Sequence, residues 1–281
     1  MPVHAAKSAS KKRGALAPDI TNQQTILGRD TGPLTSRTSS KGALIGQTHA
    51  AFRSLAQGTS LSSVKQACLN GNLLANCARH TRERIWEALN WRFFAWAAPR
   101  WVIKDLGDAA LESLHPSAYF VGLVYLHYAR RDRLTFDFTA EGLFANWYAR
   151  IRNVRREEVW RFATEHYGSD DVARFRESTR KKIAGNLLSA LRDFGVLTGS
   201  QHKAIQQPRL ELPVAFHLCR LLYAEGLRGW GLLQAPDWKL FLLPPDAVTN
   251  VLGRLARNGN VRFEQAGRTV VLELPGDSAP G

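Results

Sequence analysis

Cysteine is scarce in this chain of 281 residues, which contains only Cys68, Cys77 and Cys219. None of the three belongs to a CxxC pair, and no histidine follows at a spacing that zinc sites use. His80 and His166 each stand alone, and isolated histidines are more often structural than metal ligands. The sequence therefore predicts no metal site, and it favours reduced core cysteines of a cytoplasmic protein.

Long hydrophobic runs are also missing. Residues 91–102 and 118–128 are strongly apolar, but Arg, His or Pro interrupts each of them well before the ~20 residues that a membrane span needs. The first residues lack the apolar stretch of about 7–15 residues that a secretory signal requires. We therefore predict two buried helices, no membrane partner and a cytoplasmic location.

Acidic residues are the third shortage. The chain has 24 Asp and Glu against 38 Lys and Arg, which gives a formal net charge of +14 and a pI near 10.2. Such an excess favours an anionic partner, and nucleic acid is the leading candidate. A hydrophobic fraction of 44% is sufficient for a folded body. Residues 1–40 differ, because they are polar, basic and without a sustained apolar period, and we predict that they form a flexible basic arm.

A short phrase occurs twice, at residues 81–85 and 178–183. In each copy hydroxyl residues precede basic residues and an isoleucine. We predict that Thr81 and Ser178 open helices by capping free backbone N–H groups. Cations in the first turn of a helix are poorly placed for its dipole, so an external anion is the better explanation for them.

The two predicted helices differ in the surface opposite their apolar face. The first carries Glu83 and Glu87 there, so it is mixed in charge and a poor surface for phosphate. The second helix buries an apolar stripe that includes Ile183. This helix is predicted to stop at Gly195. Its opposite stripe consists of Lys181, Lys182, Gly185, Ser189 and Arg192. A glycine within a helix costs roughly 1 kcal/mol relative to alanine, so Gly185 implies a close approach, either of DNA or of a neighbouring helix.

Helix start and stop signals divide the chain into three parts. Residues 1–40 form the arm, residues 41–138 a helical N-terminal domain with a helix-turn-helix-like segment, and residues 139–281 a helical, winged-helix-like C-terminal domain that ends in a β-hairpin. Two helices are predicted within residues 139–167. The arginines around their joint are Arg150, Arg152, Arg155 and Arg156. A solvated face is the plainer interpretation of that cluster.

The C-terminal part predicts the small β component of a mostly α fold. We predict short strands at residues 196–197 and 208–212, and a β-hairpin over residues 261–274. A helix that leads into a basic-tipped hairpin is the order of a winged helix, whose hairpin can lie along the phosphate backbone. Arg262 and Arg268 are the wing candidates.

Residues 176–213 contain three sequences in a fixed order, STRKKI, LLSALRDFGVLTG and QQPRLELP. Together they resemble the BrxA family of the bacteriophage exclusion (BREX) defence systems. Residues 61–89 and the sequence VWRFATEHY are similar to the matching parts of that family. The resemblance spans residues 41–275 and leaves out the basic arm.

The resemblance implies a small cytoplasmic bacterial protein that is encoded with a methyltransferase, an ATPase and other defence components. It also implies a helical protein with winged-helix-like parts that binds double-stranded DNA and has no known catalytic activity. Some members have been labelled inner-membrane proteins, and the interrupted apolar runs argue against that label here. No catalytic motif is carried over, so the DNA-facing residues come from the helical pattern alone.

We therefore predict a double-stranded DNA-binding accessory protein of a BREX system, not an enzyme, which binds mainly through phosphate contacts and needs no cofactor or metal. Other BREX components are its further candidate partners. The predicted DNA-binding residues are Ser178, Thr179, Arg180, Lys181, Lys182, Arg192, Arg262 and Arg268.

Two alternatives remain open from the sequence. A basic helical module also suits structured RNA, although the aromatic residues fall mostly on the core faces of helices, not on a sheet that would bind single strands. A metal-dependent nuclease needs clustered carboxylates. The available pairs, Asp170 with Asp171 and Asp132 with Asp137, lack supporting Glu, Lys or His spacing.

Overall fold

The computed structural model describes residues 27–37, 41–74, 77–267 and 269–275. Within these residues the chain is mostly helical and has two small antiparallel sheets. The predicted fold class, mostly α with a small β component, is thereby confirmed. None of the helices in these four ranges combines the length and the apolar character that crossing a membrane demands.

Five helices build the N-terminal part of the fold. They are α1 (Ile45–Ala56), α2 (Leu61–Asn70), α3 (Arg79–Leu89), α4 (Arg100–Leu111) and α5 (Ala118–Arg130), and a π-helical turn (Asn90–Phe94) extends α3. The Phe52 ring of α1 meets the Phe93 ring edge to face, with centroids 5.3 Å apart. α5 is buried around most of its circumference, as its apolar sequence predicts. Residues 91–102, by contrast, span the break between the π-helical turn and α4.

A three-stranded sheet and its helices form the middle of the chain. A helical segment runs from α6 (Arg133–Asp137) through a π-helical stretch (Phe138–Leu143) to α7 (Phe144–Tyr148). There follow β1 (Asn153–Val154), α8 (Arg156–Tyr167), α9 (Ser169–Ala173), α10 (Glu177–Asp193), β2 (Leu197–Thr198) and β3 (Lys203–Ile205). The strands are antiparallel in the order β1-β3-β2, with Asn153 opposite Ala204 and Leu197 opposite Ile205.

One predicted strand is misplaced. The partner of β2 is Lys203–Ile205, and residues 208–212 form no strand. Pro208 has no N–H group to contribute to a ladder. Pro213 stands in the first turn of the next helix, a position that suits its fixed φ angle and takes the chain away from the sheet.

The two predicted hydroxyl caps are wrong. α3 begins after Ala78 and α10 begins after Arg176, so Thr81 and Ser178 lie inside the first turns and not before them. In both helices an ion pair reaches from the first turn to the second: Arg79 pairs with Glu83 at 3.1 Å, and Glu177 pairs with Lys181 at 2.6 Å. Such i,i+4 pairs favour a helix that begins upstream of the hydroxyl residues.

The C-terminal part packs against the N-terminal helices. It contains α11 (Leu212–Ala224), α12 (Gly229–Leu233), a 3-10 helix (Pro236–Phe241), α13 (Pro245–Arg257), β4 (Arg262–Ala266) and β5 (Thr269–Glu273). β4 and β5 confirm the predicted hairpin, with Arg262 opposite Glu273 and Ala266 opposite Thr269. The Tyr125 hydroxyl donates to the carbonyl of Leu240 at 2.8 Å and so crosses the predicted domain boundary at residue 138.

Residues 27–37 lie against this body, although the sequence assigned them to a flexible arm. The backbone N–H of Leu27 donates to Glu225 at 2.8 Å, and that of Asp30 donates to the carbonyl of Arg130 at 2.7 Å. Arg130 is fully buried, donates to the Leu27 carbonyl and forms salt bridges with Glu225 and Asp237. The contacts correct the arm prediction for this stretch, whereas residues 1–26 and 38–40 lie outside the described residues.

Candidate nucleic-acid interface

A groove runs along the exposed face of α10, and we call it the α10 groove. Its floor is formed by Gly185, Leu188 and Ser189. The start of α8 forms one wall, and the turn that leads from β2 into β3 forms the other. The wall residues are Arg155, Arg156 and Glu157 on the first side and Ser200, Gln201, His202 and Lys203 on the second, with Asn153 and Val154 of β1 between them. The central cavity has a volume of about 690 Å³.

The amphipathic pattern of α10 places the groove on the predicted face. Ile183, Leu187 and Leu191 are fully buried on the opposite side of the helix. Lys181, Lys182 and Arg192 are exposed, and Gly185 and Ser189 are half-buried between them. The helix is therefore held by its apolar stripe and leaves its basic stripe free of the core.

Gly185 is not required by a neighbouring helix. A Cβ atom added at this position would meet the guanidinium of Arg156 first, at 3.9 Å, which is an ordinary contact distance. Of the two reasons considered for this glycine, close helix packing is thus wrong. The space above Gly185 instead opens into the cavity, with the Arg156 side chain lying over it.

The predicted residues of α10 have different surroundings. Lys181 pairs with Glu177, and Arg192 pairs with Asp193 at 2.8 Å. Arg180 is half-buried beside Trp160, whose indole N–H donates to the Arg180 carbonyl at 2.8 Å. Ser178 and Lys182 are exposed, and Thr179 lines a separate recess with residues of the segment 34–36. All of them lie on α10, but only some face the groove.

A second recess, of about 230 Å³, continues the groove toward the N-terminus of α10. Trp160, Arg180 and Lys181 line it, and it shares Arg156 and Glu157 with the central cavity. Arg156 therefore stands at the junction of the two recesses. A ligand that follows the groove passes this guanidinium.

The wing candidates do not contribute to the groove. Arg262 forms salt bridges with Glu264 at 2.9 Å and with Glu273 at 3.3 Å. The hydrogen bond that Arg262 donates to Glu264, together with the charges of both carboxylates, raises the pKa of Arg262. Its charge is thus balanced within the hairpin. Arg268 lies outside the described residues.

Sequence reasoning missed Lys203 altogether and discounted Arg155 and Arg156. The Lys203 ammonium donates to the carbonyl of Ser200 at 2.7 Å. Desolvation lowers the pKa of Lys203, and the nearby positive charges of Arg192 and Arg156 lower it further. The Asp193 carboxylate acts on the pKa of Lys203 in the opposite direction without cancelling the shift.

Several cations without a salt bridge lie on the elements that build the groove and on the segment that leads into β1. Among the described residues, no carboxylate forms a salt bridge with Arg150, Arg152, Arg155, Arg156, Arg176, Arg180, Lys182 or Lys203. Arg152 lies over the Trp147 ring at 3.8 Å, which leaves its charge in place. Of the arginine cluster that the sequence favours as a solvated face, Arg155 and Arg156 line the groove, and all four side chains are exposed.

The carboxylates that a metal-dependent nuclease needs are engaged elsewhere. Asp132 accepts from the backbone N–H of Thr135 at 2.7 Å and caps α6. Asp137 accepts from the Tyr167 hydroxyl at 2.8 Å. The described ranges contain no group of three His, Cys, Asp or Glu side chains placed to hold a metal ion.

Comparisons with known proteins identify the family. A search of the curated proteins found no match. Among solved structures, the crystal structure of an uncharacterized protein from Magnetospirillum magneticum superposes with a TM-score of 0.55 at 14% identity, covering 69% of this chain and 96% of that one. That likeness concerns the fold alone. The sequence model of the BrxA family matches residues 34–221, which is more than half of the chain. The protein therefore belongs to the BrxA family and is a component of a BREX phage-defence system.

Proposed function

We propose that the protein binds double-stranded DNA in the cytoplasm as an accessory component of its BREX system, and that the α10 groove is the binding surface. The observation that carries this proposal is the set of cations without salt bridges that lies along the groove. Phosphate groups supply the missing negative charge, and each contact releases condensed counterions.

The order of elements supports a winged helix-turn-helix in the middle of the chain. The segment α6 to α7 leads into β1, α8, α9, α10, β2 and β3, and the sheet order is β1-β3-β2. In this arrangement α10 is the recognition helix, and the turn between β2 and β3, residues 199–202, is the wing. We thus propose the winged helix for residues 133–205. The sequence suggests it for the C-terminal hairpin, which lies further along the chain.

The groove favours phosphate contacts over base reading. Gly185 and Ser189 form the floor, and neither has a side chain long enough to reach far into a major groove. The arginines and lysines lie on the walls and flanks instead, where the backbone of a duplex passes. Affinity for duplexes of unrelated sequence should therefore differ little.

Fluorescence anisotropy with labelled duplexes of two unrelated sequences tests the proposal. We expect both to bind with similar affinity, and an unlabelled duplex to compete better than a hairpin RNA of equal length. No binding at about 50 mM salt contradicts the proposal, because electrostatic binding is strongest at low salt. Preferential competition by the RNA favours the RNA-binding alternative.

The proposal assigns no catalytic step to this protein. Incubation of supercoiled plasmid with the protein and Mg²⁺ tests that assignment. We expect the plasmid to stay supercoiled. Nicking by the protein that is absent from a mock preparation of the same purity favours a nuclease.

A further inference from the structure

The centre of the α10 groove is a recess with Gly185 and Ser189 in its floor. Gly185 has no side chain and Ser189 a short one, so the floor lies below both walls. The volume of about 690 Å³ falls within the range of roughly 300–1,000 Å³ that small-molecule sites occupy. The recess is larger than one phosphate group requires.

Arg156 lies flat across the floor of this recess. Its Cζ, Nε and Nη2 atoms are each 3.9 Å from the position that a Gly185 Cβ would occupy, so one face of the guanidinium plane rests on α10. No described carboxylate forms a salt bridge with it. Its N–H groups are therefore available to a ligand with phosphate or other planar acceptors.

Lys203 faces the recess from the other wall. The positive charges of Arg156 and Arg192 act on its ammonium group, and Asp193 is the carboxylate that opposes them. Asp193 is itself engaged by Arg192 at 2.8 Å. The recess thus brings three cations, Arg155, Arg156 and Lys203, to one space, with Glu157 as the one carboxylate of its lining among the described residues.

Apart from Arg155 and Glu157, the remaining lining is neutral, and most of it forms hydrogen bonds. Asn153 and Gln201 offer amides, Ser189 and Ser200 hydroxyls, and His202 an imidazole. A phosphate needs only the cations, but a sugar and a base need such groups as well. A duplex keeps its bases stacked in the interior, so it cannot place phosphate, sugar and base together in this recess.

We propose that the central cavity binds a free nucleotide, a nucleoside triphosphate or diphosphate, with its phosphates between Arg156 and Lys203 and its nucleoside against the neutral lining. The nucleotide then competes with the duplex for these two cations and regulates binding at the same surface. Only this competition rests on the proposed function. Binding of the nucleotide itself does not.

Direct titration of the full chain separates this inference from plain electrostatics. The probes are ATP, inorganic tripolyphosphate and adenosine, each followed by isothermal titration calorimetry in EDTA at one ionic strength. We expect ATP to bind at least tenfold more tightly than tripolyphosphate, because only ATP uses the neutral lining. Equal affinities, or no ATP binding at up to about 1 mM, overturn the inference.

Variants locate the site. Lys203→Met is expected to weaken ATP binding at least tenfold, and Gly185→Leu to abolish it by filling the floor. Arg161→Met is the matched control, because Arg161 is an exposed cation of α8 that lines neither recess. Since Gly185→Leu also alters a helix, the melting temperature of this variant is measured in parallel. If Gly185→Leu is unfolded, the result for Lys203→Met alone tests the site. An equal loss in Arg161→Met and Lys203→Met overturns the site.

Competition distinguishes the two proposals. ATP is expected to displace labelled duplex from the wild type more effectively than tripolyphosphate at equal ionic strength. Duplex binding without any ATP binding overturns the inference and leaves the DNA proposal intact. ATP binding without duplex binding overturns the DNA proposal and leaves the nucleotide site intact. If ATP and duplex bind at the same time without displacement, the proposed competition is wrong.

Discussion

The α10 groove and the C-terminal hairpin both carry arginines that the sequence suggests for DNA binding or for a basic cluster, but they differ in how these charges are balanced. In the hairpin Arg262 is held by Glu264 and Glu273, so little charge is left for a partner. In the groove Arg156 and Lys203 have no such carboxylates among the described residues. The comparison teaches that a cation contributes to a binding surface when it both lacks an internal partner and lines a recess that a ligand can enter.

Charge reversal in the groove is the largest expected effect on that comparison. Arg156→Glu combined with Lys203→Glu replaces two attractive phosphate contacts with repulsive ones, and we expect duplex affinity to fall by tenfold or more. Both side chains are at least partly exposed, so the fold should persist. Circular dichroism and anisotropy measure the two properties.

The matched control reverses two cations on α13, the helix that precedes the hairpin. Arg254 and Arg257 are exposed and belong to neither recess of the groove. Arg254→Glu with Arg257→Glu makes the same change in net charge, and it should weaken duplex binding much less. A similar loss in both double variants makes overall charge the cause and removes the distinction between the two regions.

Lys181→Glu with Lys182→Glu tests the basic stripe itself. Only Lys182 is without a salt bridge, because Lys181 is engaged by Glu177, so the loss of affinity should come mainly from Lys182. We expect the single variant Lys182→Glu to account for most of the effect. If the double reversal leaves binding intact in a folded protein, α10 is not the DNA-contacting element.

Two truncations test how residues 1–26 and residues 27–37 contribute to stability and to DNA binding. Deletion of residues 1–26 should leave the melting temperature nearly unchanged and weaken DNA binding modestly, because it removes basic charge. Deletion through residue 37 should lower the melting temperature, because it removes the hydrogen bonds of Leu27 and Asp30 and the buried side chain of Leu34. Equal melting temperatures for the two deletions contradict the described packing.

Two substitutions should have the smallest effects. Arg262→Gln is expected to change duplex affinity by less than about threefold, because the removed charge is already balanced in the hairpin. Gly185→Ala should stabilise the protein by up to about 1 kcal/mol through helix propensity. It should also keep duplex binding, since a Cβ at 3.9 Å from Arg156 fits. A large loss of affinity in Gly185→Ala contradicts the open space described above the floor.

The sequence predicted the elements whose signals are local. The apolar stripe of α10 and the alternation of β4 and β5 follow from 3.6- and 2-residue periods, and the structure confirms them. The predicted start of α10 was wrong because the helix begins after Arg176, which puts Glu177 in its first turn and Ser178 inside the helix. Local patterns also placed a strand after Pro208, where a proline cannot pair.

The site depended on contacts that no local pattern contains. Lys203 faces Arg156 because β3 pairs with both β1 and β2, and these residues are far apart in the sequence. The neutralisation of Arg262 likewise requires the register that sets it opposite Glu273. Arg130, which stands in a basic run, is fully buried with Glu225 and Asp237 and has no part in the surface.

The salt dependence of duplex binding tests the central claim most directly. If about six cations of the groove contact phosphates, the slope of log affinity against log salt should be near −5, at roughly −0.9 per phosphate. Removing two of them, with Arg156→Met and Lys203→Met, should bring the slope to near −3.5, while Arg254→Met with Arg257→Met leaves it near −5. A wild-type slope near zero, or an equal change in both double variants, contradicts the account.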